Sequence, residues 1–292
     1  NIHFPESPEA LDIARRRLAF EELFFFAIGL KLLRSRRETV SVEPVQPVDM
    51  APFYNALPFT LTDAQRRCVE EAIADMQSGK PMNRLCQGDV GSGKTMVAAA
   101  CVYFCVKNGR QAALMAPTEL LAEQHYRGLA PLLEQLGLRC ALLTGSTPAK
   151  TKRSVTAQLA SGELDFAIGT HALISGGVAY ADLGLVVTDE QHRFGVAQRT
   201  ALAEKGEHPH TLVMSATPIP RTLALILYGD LDVSVIDQLP PGRVPVQTFV
   251  VGESKRQRMY NFVRKQAGEG RQTYIVCPAV EESTGDGAPP GL

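Results

Sequence analysis

No CxxC pair and no cysteine–histidine grouping at zinc-ligand spacing occurs in the sequence, although it has six cysteines, Cys68, Cys86, Cys101, Cys105, Cys140 and Cys277. A zinc module and a disulfide framework are set aside, and reduced, buried thiols in a cytoplasmic protein are the expectation. Also missing is any uninterrupted apolar stretch of the roughly 18 residues that a membrane span requires, and no secretory signal opens the chain, so no membrane association is expected. Excess charge is lacking too: the formal net charge is −1, which excludes a uniformly basic nucleic-acid binder and leaves room for a local basic groove. No repeat recurs at a fixed period. What is present is 292 residues, 45% hydrophobic and 21% charged, enough for one full domain with additional pieces. Asn1 in place of an initiator methionine, and a closing GDGAPPGL with the composition of a flexible tail, suggest a fragment.

Along the chain, Leu11, Ala14, Leu18, Leu23 and Ala27 recur at helical spacing among many Arg and Glu, so a connecting helix is expected over Glu9 to Arg37. Four prolines between Glu43 and Pro58 suit an extended connector, with a domain boundary near Phe59. Beyond it, short apolar runs alternate with longer helical patterns, the mark of βα units and a parallel sheet. The expected strands are Arg84–Gln87, Ala112–Ala116, Cys140–Thr144, Phe166–Gly169, Leu185–Thr188 and Leu212–Ser215, and their continuous apolar character calls for helices on both faces. PPGRVPV, from Pro240 to Val246, breaks the pattern; a strand, a helix over Ser254 to Gly268 and the run TYIVC then begin a further domain. The division is 1–58 for the helix and linker, 59–240 for the main α/β domain, and 241–292 for a linker and the start of a second domain.

GDVGSGKT fits the phosphate-loop pattern G-x-x-x-x-G-K-[ST], running through Gly88, Asp89, Val90, Gly91, Ser92, Gly93, Lys94 and Thr95. RLCQ ahead of it reads as a strand and MVAAACVYFCV behind it as an unbroken helix, which is the context the motif needs. The glycines let the backbone turn its N–H groups toward phosphate oxygens, and the helix adds the positive end of its dipole. Lys94 then reaches the terminal phosphates of ATP and Thr95 ligates Mg²⁺. The same chemistry needs a carboxylate on a neighbouring strand. LGLVVTDEQH supplies Asp189 as the magnesium partner and Glu190 as the group orienting the attacking water, at the strand end where open α/β sheets place ligands. An acidic pair there can also cap the next helix. Ahead of the loop, PFTLTDAQ offers Gln65, whose amide matches the adenine edge, and Phe59, whose ring can stack on the base. On chemistry alone Phe59 fits a core position equally well, and Gln65 a surface one.

GDVGSGKT, MAPTELLAEQH, LTGS, IGTHAL, TDEQHRFGVAQR and MSATPIPRTLAL follow the order and spacing of superfamily 2 helicases. Together with YGDLDVSVIDQLPPGR and IHFPESPEALDIARRRLAFEEL, they resemble the RecG-type ATP-dependent DNA helicases, over Ile2 to about Ser283. The resemblance implies a RecA-like P-loop domain followed by the start of a second RecA-like domain, with ATP and Mg²⁺ as cofactors. It implies adenine recognition by Gln65 with Phe59 stacking, and a DEQH box completed by Gln191 and His192 that links nucleotide state to DNA. Coupling of hydrolysis to strand movement would run through Ser215, Ala216 and Thr217. Backbone grip on one DNA strand would come from Pro117, Thr118 and Glu119, from Gly145 and Ser146, and from Gly169 and Thr170, although such residues also serve as ordinary turns and caps. The partner implied for the intact protein is branched or forked DNA, in repair and recombination, with a monomer as the default. Since the chain stops soon after the second domain begins, ATP binding with little hydrolysis is expected of it alone. The transcription–repair coupling translocases share the loop and SATPIPRT and are the alternative within the class; a nucleotide switch without motor activity is the alternative outside it.

Overall fold

The computed structural model describes residues 2–38, 40–189, 201–216, 231–240 and 246–276. Two compact units divide the chain, residues 1–242 and 243–292. Glu190, Gln191, His192 and Thr217 lie outside the described residues.

The first unit opens with α1 (Pro8–Glu38), one residue longer at each end than expected. The connector is less extended than its prolines suggest. After an open stretch, Ala51–Ala56 form α2, with Pro52 at its start, where its missing N–H costs nothing. Phe53 is fully buried, its ring 5.7 Å from that of Tyr103. Val42 N–H donates to Gly79 O at 3.0 Å, and Gln46 N–H to Asn108 Oδ1 at 2.7 Å, so the segment is stapled along the domain it leads into.

Then follow α3 (Asp63–Met76), β1 (Asn83–Gly88), α4 (Lys94–Lys107), β2 (Gln111–Met115), α5 (Glu119–Gln135), β3 (Cys140–Leu143), α6 (Ala149–Ser161), β4 (Phe166–Gly169), β5 (Leu183–Thr188), β6 (His210–Ser215) and β7 (Asp232–Ile236). Among the described residues, seven strands form one sheet in the order β3-β4-β2-β5-β6-β1-β7, every pairing parallel. Because side chains alternate along a strand, the core lies on both faces of the sheet. Ala112, Leu114, Phe166, Ile168, Leu185 and Val187 pack on one face with α3, α4 and α5. Ala113, Met115, Ala167 and Val186 pack on the other, against Val155 and Leu159 of α6. α4 is apolar all round, with Val97 to Cys105 all buried, as befits a helix enclosed by its neighbours. The thiols of Cys68, Cys86, Cys101 and Cys105 are free and buried, as expected. Arg84 in β1 pairs with Asp75 at 2.7 Å and Glu71 at 3.2 Å and donates to Ser234 Oγ at 2.8 Å, tying α3 and β7 to the strand that carries the phosphate loop.

His210 gives the domain a pH-sensitive joint at the start of β6. Its Nδ1 accepts the Met82 N–H at 3.0 Å, so the neutral ring carries its proton on Nε2, which is buried without a partner among the described residues. Burial, with the Arg110 charge adding to it, lowers its pKa to about 4. The folded state therefore favours the neutral ring. Its contribution is fully present above pH 6.5 and is lost as pH falls from 6.5 through about 4, on the order of 3 kcal/mol at one residue. Urea midpoints measured at pH 7, 5.5 and 4 should fall more steeply for the wild type than for His210→Asn, which keeps an acceptor and cannot charge.

In the second unit a helical turn at Glu253–Lys255 leads into α7 (Arg256–Gly268), two residues later than expected. Residues 246–251 and 271–276 form no strand, although Tyr274, Ile275 and Val276 have strand character. A strand needs a partner for its ladder, and none is present among the described residues of this unit.

Candidate functional site

Gly88 ends β1 and Lys94 begins α4, and the five residues between them turn through Gly91 and Gly93 at φ of 76° and 87°, a region that favours glycine. Asp89, Val90 and Gly91 are exposed, Ser92 is buried, and Thr95 is half-buried in the first helical turn. A Cβ at Gly93 would collide with the amide nitrogen of Gln65. α3 and α5 are capped by Thr62 and Thr118, whereas α4 has no side-chain cap and no acidic residue in its first turn. Its leading N–H groups and dipole are thus left to a ligand. Lys94, only 9% exposed, folds its ammonium back onto Gly88 O at 2.7 Å and Asp89 O at 2.9 Å. Ser92 Oγ is buried in the same loop with no hydrogen-bond partner among the described residues. A glycine cradle, an uncapped helix start, an ammonium and an orphaned hydroxyl together suit a polyphosphate.

Asp189 stands just past the end of β5, its N–H donating to Met115 O of β2 at 3.1 Å. Phosphate loop and carboxylate share the C-terminal edge of the sheet, but the expected adjacency of their strands does not hold. β6 lies between β1 and β5, pairing with both, and its buried Ser215 sits level with Gln87, with Ala216 half-buried after it. At about 4.8 Å per strand the two sites are roughly 10 Å apart, a gap for a metal-bound phosphate rather than for direct contact. The sequence reading missed His125 of α5, whose Nε2 lies 2.7 Å from Asp189 Oδ2.

Gln65 is no surface residue. It is 2% exposed and closes the capping box at the start of α3, its N–H donating to Thr62 Oγ1 at 3.2 Å while its Oε1 accepts the Thr62 N–H at 2.9 Å. Its Nε2 donates to Ser92 O at 2.7 Å, bolting α3 to the phosphate loop. Among the described residues, one N–H and one lone pair of the amide remain. Phe59 is 50% exposed and is not a core residue.

The remaining loops fall into two groups. Pro117 to Glu119 and Gly145 to Ser146 stand together: Thr118 caps α5 by accepting from Leu121 N–H at 3.3 Å, and Glu119 takes the Ser146 N–H at 3.0 Å and the Ser146 hydroxyl at 2.7 Å. The Ser146 hydroxyl, backed by the N–H groups of Ser146 and Gly145, holds the Glu119 carboxyl below its usual range. Gly169 and Thr170, in contrast, are buried. A Cβ at Gly169 would strike Leu143 O, so this glycine lets β3 and β4 approach, and the Thr170 hydroxyl faces no solvent. These two do not present the surface expected of them.

A family model described as DEAD/DEAH box helicase matches residues 62–226, more than half of the chain. The chain belongs to the DEAD/DEAH box helicase family. Within that family its similarity runs to the RecG type. It is 50% identical over 285 residues to the ATP-dependent DNA helicase RecG of Synechocystis, covering 97% of this chain and 34% of that one. To the RecG of Bacillus subtilis it is 48% identical, covering 97% of this chain and 42% of that one. A solved structure of RecG bound to a three-way DNA junction matches with a TM-score of 0.81 at 45% identity, over 91% of this chain and 36% of that chain. The chain thus spans well under half the length of these helicases. The stretch matched by the DEAD/DEAH box model opens at Thr62, the residue whose capping box places Gln65 against the phosphate loop.

Proposed function

We propose that the chain is the first ATP-binding motor domain of a RecG-type DNA helicase, which in the whole protein works on branched or forked DNA in repair and recombination. The observation carrying this reading is the convergence of the Lys94 loop and Asp189 on one edge of the parallel sheet. Backbone N–H groups from Gly88 to Thr95 would hold the phosphates, with Lys94 leaving Gly88 O and Asp89 O to reach the terminal ones. The Thr95 hydroxyl and the Asp189 carboxylate would hold magnesium, which supplies charge neutralisation on the phosphate oxygens. Glu190 would orient the attacking water, and Gln191, His192, Ser215, Ala216 and Thr217 would pass the nucleotide state on. Phe59 and the spare half of the Gln65 amide are the adenine contacts. Pro117, Thr118, Glu119, Gly145 and Ser146 are the DNA-facing residues, where backbone N–H groups and hydroxyls grip phosphates without raising net charge, Ser146 exchanging the Glu119 carboxylate for a phosphate oxygen as it does so.

For the domains we propose 59–240 as the first motor domain, with 1–58 as a helix and linker whose last part is bolted to it, and 241–292 as the start of the second. The 292 residues span 34% and 42% of two RecG relatives, and an arginine donated from a further domain is worth about 10³–10⁵ in rate in related triphosphatases, so these residues by themselves should bind ATP with magnesium and turn it over slowly. Nucleotide binding and ATP turnover measured with and without forked DNA test the proposal. The expected result is magnesium-dependent binding with turnover far below a complete motor; a chain that does not bind ATP would remove its basis.

A further inference from the structure

We propose that His125 is the positioning residue for the magnesium carboxylate, holding Asp189 in the orientation in which it receives the metal. The inference rests on the reading of Asp189 given above. His125 lies on α5, 64 residues from Asp189 in sequence, yet its Nε2 is 2.7 Å from Asp189 Oδ2. The two side chains are 11% and 13% exposed, so water does little to screen or replace the contact. A carboxylate can only accept, so Nε2 is the nitrogen that carries the proton and donates it into this hydrogen bond.

The placement is over-determined by the fold. Asp189 is held through its backbone by Met115 O of β2 and through its side chain by α5, and β2 runs directly into α5 through Ala116 to Thr118. Backbone and carboxylate are therefore fixed by successive parts of one strand–helix unit. Among the described residues, nothing in the packing of α5 calls for an imidazole. The helix seats itself with Ala122, Leu129, Ala130 and Leu133, and an apolar side chain at 125 would continue that face without burying polar atoms. A histidine there is explained by the carboxylate it meets. A hydrogen bond from a neighbour orients a ligating carboxylate, and its loss typically costs about 10–100-fold in metal affinity.

The test reads magnesium binding rather than turnover. A fluorescent ATP analogue is titrated onto the 292-residue chain over a range of magnesium concentrations, and the half-saturating magnesium is compared between variants. His125→Leu keeps the volume and deletes the donor, and should raise that concentration about 10–100-fold while nucleotide affinity at saturating magnesium stays within a few-fold. His125→Gln places an amide N–H near the position of Nε2 and should return the magnesium requirement to within a few-fold of wild type. If His125→Leu melts below the assay temperature, the Gln variant still decides, since a merely space-filling role gives it no reason to bind magnesium better than His125→Met. A wild-type magnesium requirement in His125→Leu, or a Gln variant no better than the donor-free ones, overturns the assignment. Asp189→Asn serves as the control: if it too leaves the requirement unchanged, the reading of Asp189 has failed rather than the role of His125.

Discussion

Gly93→Ala is expected to lower ATP affinity by at least about 100-fold while leaving the domain folded. The backbone at 93 sits at φ 87°, where a side chain costs roughly 1–2 kcal/mol. The added Cβ would also occupy the place of the Gln65 amide nitrogen, which donates to Ser92 O at 2.7 Å. One methyl group thus strains the loop and expels the clasp between α3 and the cradle. The fold survives because α4 and β1 are held by the buried core rather than by the loop. The nucleotide site does not, because N–H groups turned away from a phosphate each forfeit a charge-assisted hydrogen bond of about 1.5–3 kcal/mol. Two such losses already exceed a factor of 100. Calorimetric titration with ATP and magnesium, beside a thermal melt of the unliganded variant, separates the two effects; an affinity within a few-fold of wild type would show that the loop does not carry the phosphates.

Lys94→Met should match that loss and remove turnover altogether. The substitution keeps the apolar stem that the loop buries and deletes only the ammonium, which donates to Gly88 O and Asp89 O. In the unliganded chain the ammonium is nine-tenths buried, so deleting it also removes the cost of holding a charge away from water, and the melting temperature should change little. With a triphosphate present the same ammonium faces full negative charges in a partly enclosed site, where charge-assisted hydrogen bonds are about twice as strong as neutral ones. The contrast between a nearly unchanged melt and an affinity reduced by about 100-fold or more distinguishes a ligand-binding lysine from a structural one. Comparable falls in both would assign Lys94 to the scaffold.

The features legible from sequence were those written in local chemistry. The spacing from Gly88 to Thr95 fixes a backbone shape and a charge within eight residues, and the apolar runs at Phe166–Gly169 and Leu183–Thr188 could only be strands covered on both sides. What stayed hidden depends on how distant segments meet. The interposition of β6 between β1 and β5 is a matter of strand order, which no local run of residues encodes. His125 carries no local signal in the sequence, since its meeting with Asp189 arises only because β2 and α5 bring it beside the end of β5. Gln65 combined two signals: the T-x-x-Q of a capping box was present in the sequence, but only the fold shows that the same amide reaches Ser92. Gly169 reads in the sequence as part of a DNA-gripping loop or as an ordinary turn residue, whereas the close approach of Leu143 O in the neighbouring strand is what requires it. The edge strand β7, Asp232–Ile236, alternates buried and exposed positions too briefly to stand out. In the connector, the prolines masked a six-residue helix whose Phe53 fills a core position.

The most direct measurement is a crystal structure of the chain with a non-hydrolysable ATP analogue and magnesium. The triphosphate should lie along the N–H groups of the Gly88 to Thr95 loop, with the Lys94 ammonium moved from Gly88 O onto phosphate oxygens and the metal between the Thr95 hydroxyl and Asp189. A nucleotide bound away from that loop, or a metal on the phosphates with no approach to Asp189, would contradict it.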